Sequence, residues 1–207
     1  MGQNSSFDSK IVLDLMRMAL KKARGYADFW QWSIDKSLAE VQIVRELMGH
    51  LVAIEPELAG TLSPIKNDPP DVVLVTNYGR KIGIEVTELV DQEIVAEVAR
   101  SKKRGQLSSE WADWNADLVA EKLAELVRTK DTKLQNATKD YAEVLLVINT
   151  DEPMIDRIMI QEALTKFEFH TKYIDRGYVI LSYDPQVSKT EFAAGYPIFK
   201  LPFQKAV

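Results

Sequence analysis

Two carboxylates and two lysines in this chain have types and spacing that could do chemistry: Asp71, Glu85, Lys130 and Lys133. Asp71 follows Pro69-Pro70 and stands at the entrance to a short apolar run, Val72–Thr76. Glu85 lies inside a second run, Ile82–Val90, flanked by Ile84 and Val86. Asn77, Tyr78 and Gly79 between the runs read as a hairpin turn. A charge inside a strand of branched apolar residues is costly unless something binds it. Hairpin pairing can bring the Asp71 end of the first strand near the far end of the second. Two acidic oxygens converging there would suit a hard divalent cation. Such an ion can activate water and steady the charge developing on a phosphodiester.

Strand parity decides what Glu85 can meet. Alternate side chains share a face, roughly 6.6–6.8 Å apart. Ile82, Ile84 and Val86 then pack into the core, and Lys81, Gly83, Glu85 and Thr87 face a helix layer or a cleft. Lys81 shares that face, but four residues of strand put it roughly 13 Å from Glu85, where it suits a phosphate or solvent. Lys102, Lys103 and Arg104 form a basic run that reads as a solvated or phosphate-facing surface.

The elements that must position these groups follow from periodicity. The spacing predicts a helix over Asp8–Arg24, capped by Ser5 or Ser6, and a second over Ala27–Leu51. On the second, Glu40 falls on the apolar side and Glu46 on the wet side. Ala53–Pro70 holds four prolines and one glycine and reads as a loop. After the hairpin, Gln92–Arg104 is helix-compatible, and a further helix is predicted over Ser108–Lys130. Its apolar face begins with Trp111 and Trp114 and continues through Leu118, Val119, Leu123, Leu126 and Val127. If that helix persists, Lys130 and Lys133 extend the buried stripe. Ala142–Ile148 and Gly177–Tyr183 are continuous apolar runs suited to buried parallel strands, with a helix from about Asp151 to Phe169 between them. Tyr196–Leu201 reads as an edge strand. The expected fold is α/β: a mixed central sheet flanked by helices, with a helical insertion over about 92–141 between the second and third strands. Residues 1–26 read as a helical extension and 27–207 as the α/β domain.

Composition narrows the chemistry. The formal charge of −5 argues against binding nucleic acid through overall charge, though not against a locally basic groove. The absence of cysteine excludes disulfides, thiolate metal sites and cysteine nucleophiles. With two histidines, His50 and His170, any metal must be held mainly by oxygen, which favours Mg²⁺ or Mn²⁺. No apolar run reaches membrane-spanning length, and the polar start MGQNSSFDSK is unlike a signal peptide, so a cytoplasmic setting without a membrane partner is expected.

The pattern Pro70-Asp71, about a dozen residues, then Glu85-Val86-Thr87 resembles the PD-(D/E)XK nuclease superfamily, whose restriction-endonuclease-like core has a similar element order. The resemblance covers about residues 35–184, interrupted by the insertion. It implies Asp71 and Glu85 as ligands of a divalent metal, and hydrolysis of nucleic acid, DNA rather than RNA. The family's lysine, two residues after the glutamate, orients or deprotonates the attacking water. Thr87 stands at that position here. Lys130, then Lys133, is the expected replacement, because each continues an apolar helical stripe. The family also often carries an acid on the helix before the hairpin, which matches Glu40.

Each residue also has a plainer reading. Asp71 could be a turn residue, Glu85 solvent-facing, Lys130 a snorkelling helix-end cation, and the two tryptophans core anchors. A degenerate nuclease fold that binds nucleic acid or protein without cleaving is the alternative suggested by Thr87. A homodimer, and a protein partner docked on the insertion, are both open.

Overall fold

In a computed structural model the described residues are 24–27, 35–66, 69–106, 111–136, 138–182 and 196–205. The predicted helix over 8–24 lies outside them, apart from Arg24. The chain is mixed α/β: a six-stranded sheet carries helices on both faces.

The first described helix is α1 (Lys36–Ile54); residues 28–34 of the helix predicted over Ala27–Leu51 lie outside the described residues. Ala27 has φ of 44°, and the Asp35 side chain accepts from Ser37 N, so the cap stands at Asp35. Seven residues of α1, from Ala39 to Leu51, form its buried stripe. The proline-rich segment is not a plain loop. It holds a 3₁₀ turn at Pro56–Leu58 and an edge strand, β1 (Gly60–Pro64), which sequence reasoning missed. Only Leu62 of β1 turns inward, so the strand shows no apolar alternation to read.

Strand β2 (Val72–Thr76) pairs antiparallel with β1 and with β3 (Lys81–Glu88). The turn between β2 and β3 is where expected. Gly79 donates to Thr76 O at 2.8 Å and holds φ at 79°, the left-handed conformation that closes such a loop. Two helices follow, α2 (Gln92–Lys103) and α3 (Ala116–Lys133). Strand β4 (Glu143–Thr150) then lies parallel to β3, with Glu85 opposite Leu146 and Glu88 opposite Asn149. After α4 (Arg157–Lys166) and the short β5 (Phe169–Thr171), β6 (Arg176–Leu181) lies parallel to β4. β7 (Ile198–Lys200) closes that edge antiparallel to β6, and β8 (Phe203–Lys205) pairs with β5 in a small second sheet. The order in the main sheet is β1-β2-β3-β4-β6-β7.

Two predicted boundaries shift. α3 begins at Ala116, where the Asn115 side chain accepts from Leu118 N. The tryptophans therefore precede it: Trp114 is buried, while Trp111 is 57% exposed and meets the ring of Tyr26 edge-on. α4 begins at Arg157, capped by Asp156, and ends before β5. The predicted helical insertion is present and packed against the sheet. It lies between β3 and β4, because β1 adds a strand, and α3 packs Val119, Ala120, Leu123 and Val127 against Leu146 and Ile148.

The two faces have separate cores. Val72, Leu74, Ile82, Ile84 and Val86 meet Val44, Leu47 and Leu51 of α1. Val144, Leu146, Ile148, Val179 and Leu181 meet α3 and α4. Each fully buried Leu or Ile contributes about 1.5–3 kcal/mol. With so many of them, the sheet can carry one buried charge costing several kcal/mol, and β3 does.

Candidate active site

Glu85 is 0% exposed on the α3 face of β3, among the side chains of the apolar core. Its cost is met by two cations. Lys130 Nζ lies 2.6 Å from Glu85 Oε1, and Lys133 Nζ lies 3.2 Å from the same oxygen. The other oxygen, Oε2, is buried with no hydrogen-bond partner. Both lysines sit in the last turn of α3, where cations also complement the helix dipole. The predicted extension of the apolar stripe is how they arrive: Val127 and Leu123 lie on the same face about one and two turns before Lys130.

That turn is held from outside by Asp131. Its carboxylate accepts from the backbone N–H groups of Lys172, Tyr173 and Ile174 at 2.8–2.9 Å. The loop entering β6 thereby fixes the register of the lysines on either side of Asp131. Sequence reading did not single this residue out, since a carboxylate in a helix end carries no sign of a distant loop.

Asp71 reaches the same place through the hairpin. The ladder pairs Val72 with Ile84, so one residue further Asp71 stands opposite Glu85. Asp71 is buried, and its Oδ2 accepts from Val86 N at 2.7 Å, closing the end of the ladder. Burial pushes its pKa up to about 6; Glu85 and Glu40 push the same way, against the Val86 N–H and Lys130. Gly83, two residues before Glu85, leaves room for this approach. A Cβ there would stand 3.0 Å from Pro70 Cγ and 3.1 Å from the Tyr141 ring.

Glu40 projects from α1 and pairs with Lys36 at 3.0 Å. It lines a cleft of about 190 Å³, with Val86, Thr87, Glu88, Lys130 and Asn149, where the C-terminal ends of β3 and β4 meet α1. Lys130 thus touches both Glu85 and the cleft. A larger groove of about 560 Å³ lies at the other end of α1 against β1. Its lining holds Arg45, Met48, Val52 and Leu58, with no carboxylate among the described residues.

The structure therefore brings together Asp71, Glu85, Lys130 and Lys133, with Glu40 across the cleft. Of these, Glu40 and Lys130 line the cleft; Asp71, Glu85 and Lys133 do not, and neither do Lys81, Lys102, Lys103 or Arg104. Lys81 is exposed at the start of β3. Lys102 and Lys103 end α2, and Arg104 caps it and pairs with Glu97 at 2.9 Å. The basic run is accordingly a cationic helix end. Asn149 was missed, although a polar residue closing the apolar run Ala142–Ile148 was a legible signal.

A hard divalent ion needs several oxygen ligands. Among the described residues no three acidic or histidine side chains converge as a ligand group. Asp71 and Glu85 supply two carboxylates, the Val86 carbonyl lies 3.4 Å from Lys130 Nζ beside them, and the unpartnered Glu85 Oε2 is an oxygen that a cation would satisfy. Two carboxylates with water and a carbonyl fit Mg²⁺ or Mn²⁺, which take oxygen ligands and keep several waters. Compared with known proteins, the chain matches no family model, no curated protein and no solved structure.

Proposed function

We propose that this protein is a metal-dependent nuclease of the restriction-endonuclease-like kind, hydrolysing phosphodiester bonds in DNA rather than RNA. One observation carries the reading: Glu85, wholly buried in an apolar strand one register step from the end of the β2–β3 ladder where Asp71 stands, meets Lys130 at 2.6 Å and keeps its second oxygen unpartnered. A buried polar atom left unsatisfied costs about 1–3 kcal/mol, so a purely structural ion pair would do better with both oxygens engaged. Asp71 and Glu85 would hold Mg²⁺ or Mn²⁺, with Glu40 assisting through the cleft. When bound, the ion supplies Lewis acidity and lowers the pKa of water.

The rest is the chain's own work. Thr87 cannot provide the positive charge that the family's motif lysine provides. Lys130 provides it from α3, holding a water near Glu85 Oε1 and taking part in its proton transfer, with Lys133 beside it. The rigid last turn of α3, tied by Asp131, fixes that ammonium.

Purified protein is expected to cut plasmid or labelled duplex DNA in Mg²⁺ or Mn²⁺, and to stop in EDTA. RNA is expected to be the poorer substrate. No cleavage of duplex DNA, single-stranded DNA or RNA with either ion would defeat the proposal.

A second reading rests on the ion pair itself. Two ammonium groups on Glu85 Oε1 neutralise it, as a degenerate fold that only binds would allow. That reading requires no cleavage and no rise in melting temperature with divalent ions.

A further inference from the structure

Strands β3, β4 and β6 run parallel and end at the cleft side of the sheet, and ligands of open α/β sheets bind outside the carboxyl ends of such strands. β4 is buried at every position and turns polar at its last two residues. The Thr150 hydroxyl accepts from Glu152 N at 3.2 Å. Asn149 has no such use. It is 2% exposed, its Nδ2 is buried without a hydrogen-bond partner, and it lines the cleft. Among the described residues only its main chain finds a partner, its carbonyl accepting from Leu89 N at 2.8 Å. An unsatisfied amide is a burden to a fold, and an apolar residue would suit this strand better.

The chemistry of the wall indicates what the amide meets. The two neighbouring acids are both engaged, Glu40 with Lys36 at 3.0 Å and Glu88 with Arg24 at 2.6 Å. They oppose an incoming anion less than bare carboxylates would. Asparagine is one of the neutral donors that contact nucleic-acid phosphates. Asn149 lies opposite Glu88, three strand residues beyond the Glu85 row, or roughly 10 Å along the strand. An odd number of residues also turns the side chain to the α1 face, away from Glu85, so the phosphate it meets lies on the Glu40 side of the cleft. We propose that Asn149 is a positioning residue that donates from Nδ2 to a phosphodiester oxygen of the bound strand, a role that rests on the nuclease reading above.

The test compares wild type with Asn149→Leu, Asn149→Asp and Asn149→Gln. Melting temperature is measured without nucleic acid. KM and kcat are measured on a labelled duplex in Mn²⁺, and Kd for the same duplex in Ca²⁺ by fluorescence anisotropy. Asn149→Leu is expected to melt at or above wild type while KM and Kd rise about tenfold, with kcat moving less. Asn149→Asp is expected to weaken binding further, since its charge opposes the phosphate, and Asn149→Gln to recover part of the loss. An Asn149→Leu protein that melts lower, or that binds and cleaves as wild type does, overturns the assignment while leaving the nuclease reading in place. A wild type that neither binds nor cleaves overturns both. A wild type that binds without cleaving, with weaker binding by Asn149→Leu, upholds Asn149 and removes hydrolysis alone.

Discussion

Replacing Lys130 and Lys133 together by methionine is expected to destabilise the fold by about 3–5 kcal/mol, because it leaves a buried carboxylate with no cation. Each single replacement leaves one ammonium on Glu85 Oε1 and is expected to cost much less, on the order of 1 kcal/mol. The Lys133 side chain is 38% exposed, against 18% for Lys130, so the Lys133 replacement is the milder of the two. The double loss therefore exceeds the sum of the singles, which marks residues sharing one partner. Urea denaturation in EDTA at neutral pH measures this directly. Adding Mg²⁺ is expected to recover part of the loss, since a cation held by Asp71 and Glu85 replaces the missing ammonium groups. Additive singles, with no recovery in Mg²⁺, would mean that Glu85 does not need these lysines and does not bind the ion.

Asp71→Asn is expected to stabilise the metal-free protein at pH 7.5 by up to about 3 kcal/mol and to abolish metal binding. The pKa of Asp71 is raised from 3.8 to about 6, chiefly by burial. At 1.36 kcal/mol per unit, that difference sets the scale. The folded state favours the neutral acid, so this contribution to stability is fully present below about pH 4 and lost as pH rises through about 6. Asparagine stays neutral and its side-chain oxygen can still accept from Val86 N. The variant is therefore expected to lose this pH dependence while wild type in EDTA keeps it. A divalent ion reverses the balance, because it needs the ionised carboxylate, and its affinity is expected to weaken below pH 6. Thermal melts at pH 5 and 7.5, with and without Mn²⁺, follow all of these effects. An Asp71→Asn protein that is less stable at pH 7.5 would show the buried carboxylate to be structural.

How much of this could be read from residues alone varies by element. The hairpin was legible because two apolar runs, Val72–Thr76 and Ile82–Val90, flank a glycine turn, and Ile82, Ile84 and Val86 alternate in the second. The lysines were legible because helical spacing continues from Leu123 and Val127 to Lys130. β1 was not, because one inward side chain gives no periodicity and its prolines read as loop. The start of α3 was misplaced because Trp111 and Trp114 have helical spacing but sit in an irregular stretch before the Asn115 cap. Parity placed Glu85 facing a helix layer or a cleft; the structure puts α3 over it, and its complete burial follows only from the way α3 lies across β3 and β4. Asp131 escaped because its significance depends on partners across the fold, whereas Asn149, a polar residue closing an apolar run, was legible and was missed.

The most direct measurement is single-turnover cleavage of a labelled duplex in Mn²⁺ by wild type and Glu85→Gln side by side. Glutamine keeps the shape of the side chain and an oxygen that Lys130 can reach, but loses the negative charge. Wild type is expected to cleave, and Glu85→Gln to be slower by at least about 10²–10³-fold with its melting temperature largely retained. Equal rates for the two proteins, or no cleavage by either, would contradict the assignment of phosphodiester hydrolysis to Glu85 and its neighbours.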